Sequence, residues 1–134
     1  LKIATSFGGG RLAAELVLNV LRDGSYRKHM EGLRLRLSRA MGEVNTRLKS
    51  LGIEPWLEPQ AGMFLWSRLP DGIDAADVAR EALAENIVLA PGNAFSLSQS
   101  ATSFLRFNVA QSGDIRIFEA LRKAIARRPK SAVA

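Results

Sequence analysis

The feature of this sequence that most restricts its fold is the stretch SFLRFNVAQ, residues 103–111, where an arginine interrupts an apolar run. Successive side chains of a β-strand point to opposite faces of the sheet, so the stretch separates into an apolar face and a mixed face. The pattern predicts a central strand whose second face carries a permanent charge and an amide. The alternation places Leu105, Phe107 and Val109 on the apolar, core-like face and Phe104, Arg106 and Asn108 on the other.

The order of predicted elements after residue 52 indicates the fold class. Apolar periodicity and capping residues give the order β-β-α-β-β-α, with Asp74 capping the first of these helices and Ser112 or Asp114 capping the second. Two helices on one face of a sheet form a small two-layer sandwich of the α+β class, and the other face stays free to pack on another body. The strands are predicted in the segments IEPWLE, GMFLWSRL, IVLAPG and FLRFNVA.

Two helices are predicted ahead of this sandwich. Apolar residues recur at helical spacing in residues 11–22 and again through roughly residues 26–50. At 1.5 Å per residue the second helix is about 38 Å long. A small domain does not need a helix of that length, so this helix is expected to bridge two packed bodies.

Composition narrows the classes of function. The 134 residues contain no cysteine and one histidine, His29, which argues against disulfides, thiolate sites and histidine-rich metal sites. Without a membrane-length apolar run or a signal-peptide pattern, the chain is expected to be cytoplasmic and not membrane-bound. The net charge of +6 is compatible with nucleic-acid binding. The basic residues are, however, spread over predicted helices, where solvated faces account for them.

Two interpretations of Arg106 fit its position. A guanidinium holds a carboxylate by two parallel hydrogen bonds and keeps its charge, so on a rigid strand it forms a fixed carboxylate site. An ion pair within the domain, or an exposed edge position, explains the residue equally well. Asn108 points to the same face, where it either contacts a ligand or satisfies the backbone.

Three aromatic residues, Trp56, Phe64 and Trp66, lie in the first predicted strand pair. They could stack on a cofactor ring, but large aromatic side chains are more often core. We therefore predict that all three are part of the hydrophobic core.

Five short motifs resemble the C-terminal part of fold-type I pyridoxal-phosphate aminotransferases, most closely the aminotransferase-like domain of MocR-type regulators of the GntR family. The resemblance runs in order over essentially the whole chain, and five motifs in sequence are more specific than any one of them. The matching residues are Gly24, Tyr26, His29 and Met30 at a helix start, Gly62, Phe64 and Trp66 in a Gly-x-Phe-x-Trp strand, Leu69, Pro70 and Gly72 in a turn, Ala90, Pro91, Gly92 and Phe95 in an Ala-Pro-Gly-x-x-Phe loop, and Leu105, Arg106 and Asn108 in a Leu-Arg-x-Asn motif.

The resemblance implies a role for the mixed face of the last strand. In this family the arginine of the Leu-Arg-x-Asn motif binds the α-carboxylate of the amino-acid substrate or effector, which carries over to Arg106, with Asn108 beside it. The family's small domain turns this sheet face toward a large domain that holds pyridoxal 5'-phosphate. The family is dimeric, so a homodimer is also implied.

The sequence departs from the family at the residues that carry the chemistry. The cofactor forms a Schiff base with a lysine in a Ser-x-x-Lys-like motif, and no lysine here lies in such a motif. We therefore expect a fragment: residues 1–24 as the tail of the large domain, 25–50 as the bridging helix, 51–130 as the small domain and 131–134 as a tail. Such a fragment should bind no cofactor, contain no catalytic residue and be inactive alone. The lysines are Lys2, Lys28, Lys49, Lys123 and Lys130.

Three functional hypotheses remain open from the sequence. The first is an effector domain of a GntR/MocR-type regulator that senses a small amino compound and reaches DNA only through a separate N-terminal domain. The second is a fragment of a genuine class I/II aminotransferase. The third is a basic interaction or nucleic-acid-binding module.

Overall fold

The computed structural model of the protein describes residues 10–127. The chain forms two compact units, which divide between Arg36 and Leu37. Two predicted segments extend outside the described residues: the first nine residues of the large-domain tail at 1–24, and the tail at 131–134.

The first unit contains helix α1 (Arg11–Arg22) and the beginning of helix α2 (Ser25–Lys49), which continues into the second unit. The two helices confirm those predicted at 11–22 and 26–50. Gly24 makes the turn between them with a φ of +76°, a value that favours glycine. Asp23 Oδ1 then accepts a hydrogen bond from the Ser25 N–H at 2.8 Å, so the start of α2 is capped by the residue two positions before it.

The second unit is an α+β domain in which four strands form one antiparallel sheet with the order β1-β2-β4-β3. Strand β4 lies between β2 and β3, which confirms the prediction of a central strand. In the register of the sheet, Trp66 of β2 and Ala90 of β3 both pair with Arg106. The elements are β1 (Glu54–Pro55), β2 (Phe64–Arg68), α3 (Ala75–Ala84), β3 (Ala90–Pro91), a 3-10 turn (Gly92–Phe95), β4 (Phe104–Asn108) and α4 (Ile115–Ala126).

The hydrophobic core lies on one face of this sheet. Leu65 of β2 and Leu105 and Phe107 of β4 are buried there, as the alternation in β4 predicts. Two covering helices were expected, α3 and α4, but the end of α2 adds a third apolar surface to the same core. The buried helical residues of this core are Met41, Val44 and Leu48 of α2, Ala75 and Val78 of α3, and Phe118, Leu121 and Ala124 of α4.

The segment IVLAPG was predicted as a buried strand, and most of it is not one. Only Ala90–Pro91 pairs with β4, and Val88 is 84% exposed. The reason is the end of α3, where Asn86 adopts a left-handed φ of 61° and the Ile87 N–H donates to the Ala82 carbonyl at 3.0 Å. This Schellman-type ending still holds the chain against the helix at residue 87, so the strand begins only at residue 90.

The caps of both covering helices are side chains that the sequence predicts. Asp74 accepts hydrogen bonds from the Ala76 and Asp77 N–H groups at the start of α3. At the start of α4 the cap is Asp114 rather than Ser112, and Asp114 Oδ1 accepts from the Arg116 N–H at 2.9 Å. Both helices therefore begin where aspartate satisfies free backbone donors.

Acid should weaken the cap of α4. Hydrogen bonds from the Arg116 side chain and backbone hold the pKa of Asp114 below its ordinary value. A carboxylate with a lowered folded-state pKa stabilises the fold above its unfolded pKa of about 4, and this stabilisation is lost as the pH falls through the folded value. Asp114→Asn keeps a capping side chain that does not titrate, so its melting temperature should fall less steeply below pH 4 than that of the wild type. Parallel profiles for the two proteins would contradict this assignment.

One polar side chain in the core is expected to lower the stability of the fold. Ser67 of β2 is fully buried on the core face, and its Oγ has no hydrogen-bond partner among the described residues. A buried unpaired hydroxyl costs about 1–3 kcal/mol. We expect Ser67→Ala to raise the free energy of unfolding by about 1 kcal/mol in urea denaturation. Ser112→Ala is the matched control, because Ser112 Oγ donates to the Asn108 carbonyl at 2.8 Å, and its removal should lower stability.

Candidate functional site

Arg106 lies on the face of the sheet opposite the core. Its neighbours on β4, Leu105 and Phe107, are buried on the helical side, whereas Arg106 is half-buried on the other. No ion pair between described residues includes Arg106, and its guanidinium donates no hydrogen bond to an acceptor in residues 10–127. The interpretation of Arg106 as half of an internal ion pair is therefore wrong for the described part of the chain.

Two aromatic rings contact the Arg106 guanidinium. Its Cζ lies 3.8 Å from the centre of the Phe95 ring and 4.7 Å from the centre of the Phe64 ring. Both distances are within the range of a cation–π interaction. A ring stabilises the positive charge without neutralising it, so the guanidinium remains able to bind an anion.

The aromatic residues of the first strand pair are not core, which corrects the prediction for Trp56, Phe64 and Trp66. Trp56 is 63% exposed, Phe64 is 45% exposed and Trp66 is half-buried. They lie on the open face with Arg106, because Phe64 and Trp66 occupy the strand positions that alternate with the buried Leu65 and Ser67. The ring contacts form an aromatic row, Trp56–Phe104, Phe104–Trp66 and Trp66–Phe95, with centroid distances of 5.5, 5.4 and 6.2 Å.

The position of Phe95 depends on a close backbone approach at Gly92. A Cβ on Gly92 would lie 2.4 Å from the Ala101 carbonyl oxygen and 2.9 Å from the Phe104 Cβ. Only glycine allows the 3-10 turn to lie this close to the start of β4. The Oδ1 of the next residue, Asn93, accepts a hydrogen bond from the Ala101 N–H at 3.0 Å, which holds the loop against the start of β4 and Phe95 beside Arg106.

A pocket of about 330 Å³ opens beside Arg106. It forms where the chain before β3 diverges from the end of β4, and its lining combines one cationic side chain with amides and apolar groups. This combination suits a small molecule with one anionic and one apolar part. The lining residues are Phe64, Val88, Leu89, Ala90, Arg106, Phe107, Asn108, Gln111, Ser112 and Ile117.

Asn108 has a structural contact as well as a place in the pocket. Its Oδ1 accepts a hydrogen bond from the Ala110 N–H at 3.1 Å, which shapes the turn after β4. This is the backbone-satisfying interpretation given above. The side-chain amide nitrogen remains a donor that a ligand in the pocket can use.

The described residues do not supply a Schiff-base lysine to this site. Lys49 pairs with Glu58 and Lys123 pairs with Glu85, and the pocket lining contains no lysine. Lys28 and His29 are exposed on α2. Residues 10–127 therefore do not supply a lysine for covalent attachment of pyridoxal phosphate at this pocket.

Two other kinds of site are absent from the described part of the chain. No group of three or more metal-ligating side chains lies together within residues 10–127. None of the described helices combines the length and the apolar character that a membrane span requires.

The chain belongs to the aminotransferase class I and II family, whose model matches residues 2–127. The resemblance found in the sequence is therefore confirmed at the level of the family.

The curated relatives include both a regulator and enzymes. The chain is 32% identical over 96 residues to the HTH-type transcriptional regulator YdcR of Escherichia coli, a match that covers 70% of this chain and 20% of YdcR. It is 31% identical over 68 residues to aromatic-amino-acid aminotransferase 1 of Thermococcus litoralis, covering 51% of this chain and 16% of that enzyme. The chain therefore spans about a fifth or less of the length of these relatives.

Solved structures show the same fold. LysN, an α-aminoadipate aminotransferase of Thermus thermophilus complexed with N-(5'-phosphopyridoxyl)-L-leucine, is 25% identical with a TM-score of 0.72, over 94% of this chain and 33% of that one. An archaeal alanine:glyoxylate aminotransferase is also 25% identical, with a TM-score of 0.76 over 96% of this chain and 33% of its own. The chain corresponds to about one third of each enzyme.

Proposed function

We propose that this chain is the carboxylate-binding small-domain part of a pyridoxal-phosphate-dependent protein, and that Arg106 binds the α-carboxylate of an amino acid. In this arrangement residues 51–130 are the small domain, residues 25–50 are the bridging helix and residues 1–24 belong to a large domain. The cofactor, its lysine and a second subunit come from outside the described residues.

The proposal rests on one observation: Arg106 is half-buried and has no acidic partner in the described part of the chain. The guanidinium is on a central strand, half-buried beside a pocket and without an acidic partner in residues 10–127. A charge in that position is incompletely compensated until an anion arrives. A carboxylate suits this position, since its two oxygens accept two parallel N–H bonds from one guanidinium.

We further propose that the parent protein is a regulator of the GntR/MocR type, in which the bound amino acid is an effector. The match to YdcR covers 70% of the chain, against 51% for the Thermococcus enzyme, and this supports the regulator. The several aminotransferases among the relatives support the second candidate, an enzyme that moves an amino group from an amino acid to a 2-oxo acid.

The test is equilibrium binding to the full-length protein. The twenty common L-amino acids are first screened for the one that binds best. Its affinity is then compared with that of its α-carboxamide, which lacks the negative charge. The proposal expects the amide to bind at least roughly 30-fold more weakly, since a desolvated charge pair is worth about 2 kcal/mol or more. Equal affinities would contradict it.

Two further measurements separate the candidates. A regulator should retain a DNA fragment of its own promoter and change that affinity when the amino acid binds. An aminotransferase should instead convert the amino acid to its 2-oxo acid when a 2-oxo acid acceptor is added. Salt-dependent DNA binding by the isolated chain would favour the basic-module hypothesis instead.

A further inference from the structure

We infer that Phe64 and Phe95 are positioning residues for Arg106: their rings hold the guanidinium in the orientation that receives the carboxylate. The inference rests on the proposed function and extends it to two residues that do not themselves pair with the ligand's charge. Three observations support it: both rings contact the guanidinium, each ring comes from a different element, and no ion pair within residues 10–127 includes Arg106.

The first step concerns how a long side chain without an ion pair becomes fixed. An arginine side chain carries about 2 kcal/mol of rotamer entropy, which a site must remove before a bidentate hydrogen-bonded pair can form. A neighbouring carboxylate would restrict the side chain, but it would also neutralise the charge. The rings of Phe95 and Phe64, at 3.8 and 4.7 Å from Cζ, restrict the guanidinium and consume none of its N–H donors.

The second step concerns direction. Phe64 lies on β2, diagonal to Arg106, since it pairs with Asn108. Phe95 arrives from the turn after β3, on the other side of β4. The guanidinium therefore contacts two rings that come from two separate elements, β2 and the 3-10 turn after β3, and both must move before it can change orientation freely.

The third step concerns what else these rings do. Phe64 is 45% exposed and Phe95 is 46% exposed, so neither belongs to the hydrophobic core. Phe95 is further held by its edge-to-face contact with Trp66. Rings that remain this exposed add little to core stability, so their substitution should affect the Arg106 guanidinium more than the fold.

The test measures the affinity ratio between the best-binding L-amino acid and its α-carboxamide in the full-length protein. Phe95→Leu keeps an apolar side chain and removes the ring, and should lower the ratio roughly 2- to 30-fold, the range of one cation–π contact. Phe64→Leu should act in the same direction. Phe95→Tyr keeps the ring face and should restore the ratio.

Trp56→Leu is the matched control, because Trp56 belongs to the aromatic row and contacts Phe104 rather than Arg106. It should leave the ratio unchanged, and Phe95→Leu should have no further effect once Arg106 is alanine. If Phe95→Leu and Phe64→Leu leave the ratio unchanged while Arg106→Ala abolishes it, the positioning role is wrong and the proposed function stands. If Arg106→Ala also leaves it unchanged, both are wrong.

Discussion

Replacing Arg106 with alanine in the full-length protein is expected to weaken amino-acid binding by roughly 30- to 5000-fold. This range corresponds to about 2–5 kcal/mol, the usual loss when one partner of a desolvated, hydrogen-bonded charge pair is truncated. The large effect is expected because no other cation lines the pocket, so within the described residues nothing replaces the lost guanidinium. Isothermal titration calorimetry with the best-binding L-amino acid measures it directly.

Two variants make this result specific. Arg68→Ala removes the same charge from the same sheet face, but Arg68 is exposed and paired with Asp71 at 2.9 Å, so affinity should change little. Arg106→Lys keeps a charge but offers no planar fork of donors, and should give an intermediate affinity. An Arg106→Ala protein that binds the amino acid as the wild type does would exclude Arg106 as the carboxylate site.

Substitution of Gly92 by alanine is expected to lower the free energy of unfolding by about 1–3 kcal/mol, the usual effect of overpacking a tight contact. The new Cβ would overlap the Ala101 carbonyl oxygen, a backbone atom that cannot rotate away. The 3-10 turn must then move off β4 and carry Phe95 with it. The same variant should therefore also lower the ratio of carboxylate to carboxamide affinity.

The control for this prediction is Gly113→Ala. A Cβ at Gly113 meets no atom within 4 Å, and Gly113 is not among the glycines with positive φ. Urea denaturation should show this variant within about 0.5 kcal/mol of the wild type, as expected for a surface substitution. If Gly92→Ala were equally mild, the close approach at Gly92 would not be what fixes the loop.

The period-two pattern of β4 was enough to predict which of its side chains are buried and which lie on the open face. Leu105, Phe107 and Val109 are buried and Arg106 lies on the other face, because the alternation in a strand is set by backbone geometry alone. The helices α1 and α2 and the caps Asp74 and Asp114 were also predictable, since they depend on local spacing and on local hydrogen bonds.

The same reasoning failed for β2. Its alternation separates Phe64 and Trp66 from Leu65 and Ser67, and hydrophobicity favours burying the larger aromatic pair. The structure buries the other pair. Which face of a strand meets the helices is a long-range property, and the pairing of Trp66 with Arg106 would have identified it. The contacts of Phe64 and Phe95 with Arg106 depend on that pairing and on the loop at Gly92, so the sequence alone did not reveal them.

The two outer strands of the sheet also limit how this domain can associate. Strands β1 and β3 are each two residues long, and each ends in a proline, Pro55 and Pro91, that has no N–H to donate. A foreign strand would find at most two residues of β1 or β3 to pair with, which disfavours extension of the sheet beyond these two strands. Addition of a further strand to β1 or β3 is therefore disfavoured, and the open face of the sheet around Arg106 exposes aromatic side chains instead of backbone donors and acceptors.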